Sequence, residues 1–200
     1  MMPKTAEEAK THMHETKMAG FPGCVSSTDA THITMDCCSY KYWQLHVGFK
    51  LKFPSRACNV SINHRRQTLF STDEHPASWN NKTLQTFDIM MGDIRSGKLL
   101  TRVKFTLRDR NATEELIKVQ YVGAWQLIDN RYLTWSTDIF PMKMPVTIDD
   151  DRFSRWTESM QRDVECAFDI LNRQFLILRF PIPIHSTDAI DQIWKTCCAL

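Results

Sequence analysis

Residues 24–33 read CVSSTDATHI, and the reading of this stretch decides the fold. Val25, Thr28, Thr31 and Ile33 are β-branched, and such side chains suit a pleated strand better than a helix. The stretch predicts a strand with Asp29 set in it. Upstream, the Gly20 to Gly23 run (GFPG) stops whatever precedes it, and residues 4–18, rich in Ala, Glu, Lys and Met, predict a polar helix. Downstream, Leu45, Val47, Phe49, Leu51 and Phe53 alternate with His46, Gly48, Lys50 and Lys52. That is the period of a half-buried strand over 45–53. Further strands are predicted over 56–62 and 66–72, parted by a turn at 63–66. Residues 78–88 predict a short helix capped by Ser78 or Asn80. Alternation returns over 101–109, and 116–128 is a long β-prone run ending at Asp129.

The second half carries the clearest helix, over 151–173. Phe153, Trp156, Met160, Val164, Ala167, Phe168 and Leu171 recur at three- and four-residue spacing, which gathers them into one apolar stripe read as core. Asp149, Asp150 and Asp151 favour its N-terminal dipole. Glu165 falls at the border of the stripe beside Gln161 and Asn172, while Arg155, Arg162 and Arg173 are placed on the far face. A carboxylate at that border can point into a cleft while its helix stays anchored. A β-like segment over 175–180 and a last helix over 187–199 follow. Strands first, then strands mixed with helices, imply an α/β protein with a mixed sheet covered by helices.

Composition bounds the function. A hydrophobic share of 42% with six Trp and eleven Phe supports a packed core and excludes wholesale disorder. The net charge of +2 lacks the strong basic excess of an autonomous DNA binder. The longest apolar run, Phe175 to Leu178, is far short of the ~20 residues that cross a bilayer, and residues 1–17 hold no apolar signal core. The expected setting is intracellular, with no membrane partner. Seven Cys in no CxxC spacing point to reduced, mostly buried thiols and away from zinc.

Phosphodiester cleavage with two metal ions needs hard oxygen ligands on rigid supports. Asp29 in a strand, Asp129 at the end of another and Glu165 on a helix border meet that need as candidate catalytic and metal-binding residues. Their neighbours add a resemblance. The block GFPGCVSSTDATHI (20–33) resembles the first-Asp motif of PIF/Harbinger-type DDE transposases and their domesticated nuclease relatives. NHRRQ (63–67), HPASWNNKTL (75–84), IDNRYL (128–133), TDIFPMKMP (137–145), RFSRWTESMQRDVECAFDIL (152–171) and TCCAL (196–200) are similar to later blocks of the plant- and protist-type branch. The resemblance implies an RNase H-like fold, Mg²⁺ or Mn²⁺ as cofactor and cleavage and transfer of DNA strands. It also implies catalytic, metal-holding roles for Asp29, Asp129 and Glu165, a Myb/SANT-like DNA-binding partner protein, and nuclear localisation.

The pattern departs from the family at three places. Asn130, Arg131 and Leu133 replace the small residues and the proline that usually follow the second Asp. Asn81 stands where an additional acid is usual, and an amide oxygen without charge weakens metal affinity. By comparison with relatives, residues 1–19 are expected to be a helical extension and 20–200 a nuclease domain cut short at its C-terminus. An alternative expectation is a domesticated, catalytically weakened remnant that serves as a protein-interaction module. Around the triad, His32 is a neighbour of Asp29 whose ordinary role is packing. Arg65 and Arg66 in the basic turn suit a phosphate, and His12 and His14 lie on the N-terminal helix.

Overall fold

The computed structural model describes residues 6–48, 52–110 and 115–200. In chain order the elements are α1 (Ala6–Met18), β1 (Cys24–Thr34), α2 (Trp43–His46), β2 (Ser55–Ile62), β3 (Thr68–Ser71), β4 (His75–Pro76), α3 (Asn81–Phe87) and α4 (Ile89–Arg95). There follow β5 (Lys104–Arg110), β6 (Leu116–Val122), β7 (Trp125–Ile128), β8 (Asp138–Ile139), α5 (Ile148–Gln174), α6 (Leu176–Arg179) and α7 (Thr187–Ala199).

The central sheet runs β3-β2-β1-β7-β8, with β4 paired to the far part of β2. β1 and β2 are antiparallel, as are β2 and β3, whereas β7 lies parallel to β1 and β8 parallel to β7. This is the α/β mixed sheet flanked by helices that the sequence predicted. Strand alternation assigns the two faces. Ile33 of β1 and Cys58, Val60 and Ile62 of β2 pack with Val164 and Ala167 of α5 and with Ile190, Trp194 and Cys197 of α7. On the other face, Ala30 and Ala57 meet Leu84 of α3, and Val25 meets Met90 and Ile94 of α4 together with Met13 of α1. Strands β5 and β6 form a separate two-stranded ribbon.

Local chemistry explains most boundaries. Thr147 and Asp150 form a reciprocal capping box that starts α5, with Asp149, Asp150 and Asp151 in the first turn. Asn80 caps α3 by accepting from Thr83 N at 2.9 Å. Asn63 Oδ1 accepts from the backbone N–H groups of Arg65 and Gln67, which folds the 63–66 turn and lets Arg66 take φ 63°.

The structure corrects several expectations. The strand predicted over 45–53 is instead the short helix α2 at its start, followed by a single bridge between Val47 and Pro54; residues 49–51 lie outside the described ones. The run 116–128 is broken by Gly123 at φ 114° into β6 and β7. Asp88 caps a second helix, α4, where the sequence offered only one. Residues 176–179 are helical, not β-like. On α5 the buried positions include Ser154, Thr157, Met160, Val164 and Ala167. Trp156 lies outside that stripe at 61% exposure, touching Phe21 edge-on with ring centroids 6.3 Å apart.

Candidate active site

Parallel pairing of β1 with β7 sets the site. Thr28 is opposite Ile128 in the register, so Asp29 and Asp129 come next, side by side at corresponding points of neighbouring strands. Asp29 is also opposite Val60 on β2, so its side chain leaves the sheet on the face covered by α5. Val164 is 1% exposed in the core against that face. Its burial fixes the rotation of α5 and brings the next residue, Glu165, to the rim. The three acids line one open cleft of about 220 Å³. Glu158, Gln161 and Arg162 complete its α5 wall, and Arg131 its other side.

The sequence reading missed part of this wall. Arg162 had been placed on the far face of α5, yet residues 158, 161, 162 and 165 share one helical stripe by three- and four-residue spacing. Helical spacing was the available signal. His32, by contrast, is an odd number of residues from Asp29 along an extended strand, so it faces the opposite side, and it does not line the cleft. Asn81 is buried in the first turn of α3, outside the cleft lining. The basic turn is tied into ion pairs: Arg65 to Glu15 of α1 at 2.5 Å, and Arg66 to Asp163 of α5 at 3.1 Å, with His64 also 2.8 Å from Asp163. That turn clamps α1 and α5 to β2, and His12 joins it through Asn63 at 3.1 Å.

With Arg162, Arg131 supplies the positive charge of the cleft's described lining. Its Nε lies 2.5 Å from Asp129 Oδ2. The hydrogen bond to Asp129, then the charges of Asp129 and Asp29, hold its guanidinium above the ordinary arginine range. Its neighbour Tyr132 turns inward and is 5% exposed. The Tyr132 hydroxyl donates to Asn59 Oδ1 at 3.0 Å, and Asn59 Nδ2 donates to Asp88 Oδ2 at 3.3 Å. Burial, with Asp29 the largest of the nearby charges, pushes the phenol well up, so it remains a neutral donor. Tyr132 N also donates to Asp129 O at 3.2 Å, closing the turn. Gln85 then clamps the following residue, accepting from Leu133 N at 2.5 Å and donating to Leu133 O at 3.2 Å. The turn after Asp129 is therefore fastened from below by a buried polar network.

A family model described as plant transposon protein matches residues 2–200. The chain belongs to the plant transposon protein family. No curated protein and no solved structure matches the chain. The family's transposon origin gives the carboxylate cleft its chemical context. Its donor set is oxygen-only, from rigid supports, which fits a hard divalent cation. Among the described residues, however, no three His, Cys, Asp or Glu side chains gather closely enough to enclose an ion. The Asp129 carboxylate is paired with Arg131, so the cleft fits a metal in the chemistry of its donors while its described geometry holds the carboxylates apart. All seven cysteines are free, and no described helix is long and apolar enough to cross a membrane.

Proposed function

We propose that this chain is the strand-cleaving domain of a Harbinger-type DDE transposase lineage, cutting and transferring phosphodiester bonds in DNA with Mg²⁺ or Mn²⁺. The observation that carries this reading is the meeting of Asp29, Asp129 and Glu165, from three separated segments, in one cleft. Asp29, Asp129 and Glu165 are the residues that would hold the metal. When bound, such a metal polarises the phosphate and lowers the pKa of an attacking water. The strand ends and the anchored helix keep the three carboxylates in place. Arg162, exposed on the α5 wall, offers a planar donor fork to a phosphate oxygen.

The net charge of +2 supports a division of labour in which a Myb/SANT-like partner supplies sequence recognition in the nucleus. The test is nicking of supercoiled DNA by the purified chain in Mn²⁺ or Mg²⁺, with and without such a partner. Asp129→Asn is expected to abolish nicking while the protein still unfolds cooperatively. Full cutting by that variant sinks the assignment.

A further inference from the structure

A second groove lies between α1 and the β5–β6 ribbon. It has a volume of about 320 Å³ and is walled by Lys10, His14 and Lys17 on one side and Lys104 on the other, with Phe105 at Gly23 between them. Lys10, His14 and Lys17 are spaced four and three residues apart, so they form one stripe of α1, and all are exposed. The described lining of the groove contains no carboxylate.

The ribbon continues the same charge. Lys104 is opposite Val122, Thr106 opposite Gln120 and Arg108 opposite Lys118, and these pairs share one face. Directly opposed like charges destabilise a two-stranded pair, so Arg108 against Lys118 is a local cost that an anion on this face would lower. The other face carries Phe105 against Tyr121, Leu107 against Val119 and Asp109 against Ile117. One ribbon thus gathers Lys104, Arg108 and Lys118 on one face, with the aromatic pair on the other, and Lys104 joins that basic face to the wall of the groove.

We infer that this groove and the basic face of the ribbon hold the sugar-phosphate backbone of a DNA duplex, at a distance from the cleft. Gly23 and Asp29 are six residue steps apart along the chain, with an irregularity at Cys24–Ser26, so Gly23 at the groove and Asp29 at the cleft are at most about 20 Å apart, roughly six base pairs along B-form DNA. The contacts go to phosphates and carry no sequence information of their own. The inference rests on the reading that DNA is the substrate; the groove's charge and lining stand apart from the triad.

The test is fluorescence anisotropy of a labelled 20-bp duplex with the full chain in EDTA, over a salt series. The triple variant Lys10→Ala, Lys17→Ala, Lys104→Ala is expected to bind about tenfold more weakly at 100 mM salt, with the slope of log K against log salt smaller by roughly 2–3. Lys17→Gln alone should lower the slope by roughly 1, and Lys82→Ala on α3 should change neither quantity. A triple variant that melts like the wild type and binds with unchanged affinity and slope overturns the groove, whether or not the wild type nicks DNA. Groove-dependent binding by a wild-type chain that fails to nick with metal supports the groove and counts against the cleavage reading alone.

Discussion

Arg131 Nε sits 2.5 Å from Asp129 Oδ2, and both residues line the cleft shared with Asp29 and Glu165. A divalent ion held by Asp129 would compete with this guanidinium for the same carboxylate. The pair is partly exposed, with Arg131 at 59% and Asp129 at 28% of side-chain exposure. Its own contribution to folding is therefore at most about 1 kcal/mol. Arg131→Ala should leave the melting temperature without metal nearly unchanged and enlarge the shift that Mn²⁺ produces, because ligand binding to the native state raises stability by mass action. Thermal melts of both proteins across a Mn²⁺ titration check this. An equal or smaller shift in the variant refutes the competition.

Tyr132 bears on the same turn from below. Tyr132→Phe deletes the donor to Asn59 Oδ1 and leaves that oxygen buried, a change that costs about 1–3 kcal/mol. The lost anchor also loosens the Asp129 turn. Metal-dependent nicking should fall about tenfold, the usual scale for residues that orient a metal ligand, although the phenol does not line the cleft. Urea unfolding and nicking rates measured on one preparation decide the matter. Loss of stability with fully retained nicking would show that Tyr132 only supports the fold.

How much of this was legible in the sequence depends on whether the signal was local. The β-branched run around Asp29, the cap at Asn80, the acidic run Asp149–Asp151 and the stripe through Val164 are local, and each resolved into the predicted element. The alternation over 45–53 was a local signal that tertiary packing overrode: Leu45 is 42% exposed and Phe53 63% exposed, so neither end of the run has a core to face. Asp88 capping a second helix was legible only once α3 was known to end there. The place of Arg131 in the cleft was not legible, because an arginine two residues after an aspartate becomes a cleft group only when Tyr132 buries itself and turns the backbone. The triad's convergence depended on the parallel register of β1 and β7, which no single segment encodes.

A pH dependence follows from the buried carboxyl groups. Glu74 is 3% exposed, and burial, followed by the charge of Asp191, raises it to about 8 against the opposing pull of Arg56, whose Nε is 3.5 Å away. Here the burial cost outweighs the ion pair, since Arg56 is shared with Asp191 at 3.9 Å. The folded Glu74 thus keeps a proton that the unfolded chain releases above its ordinary value of 4.5. The folded state binds more protons between these values, so stability falls as pH rises through that window. Asp88 and Asp138, raised by burial to about 6, add to the fall below that pH. His46 and His75 are lowered from 6.5, chiefly by burial, and act in the opposite direction below it. The clean range is therefore about pH 6.5 to 8. Melting temperature should decline across it in the wild type and stay nearly level in Glu74→Gln. A wild-type curve that rises over this range contradicts the assignment.

Gly23 gives a test of how the ribbon is seated on the sheet. Its φ of +89° already disfavours a side chain, and a Cβ there would meet Phe105 Cδ1 and Cε1 at 2.6 Å. Phe105 has little room to yield, because its ring stacks on Tyr121 with centroids 5.6 Å apart and an interplanar angle of 17°. Gly23→Ala should therefore combine left-handed backbone strain of about 1–2 kcal/mol with an overpacking cost of about 1–3 kcal/mol. Gly20 supplies the control. It has φ +95°, but its nearest foreign atom is Trp156 Cζ3 at 3.6 Å, an ordinary contact. Gly20→Ala should carry the backbone strain alone, so the difference between the two variants reports the collision with Phe105. If the ring is the cause, combining Gly23→Ala with Phe105→Ala should cost less than the sum of the single changes, a coupling that urea unfolding of all four variants resolves. Additive costs would mean that Phe105 does not close over the start of β1.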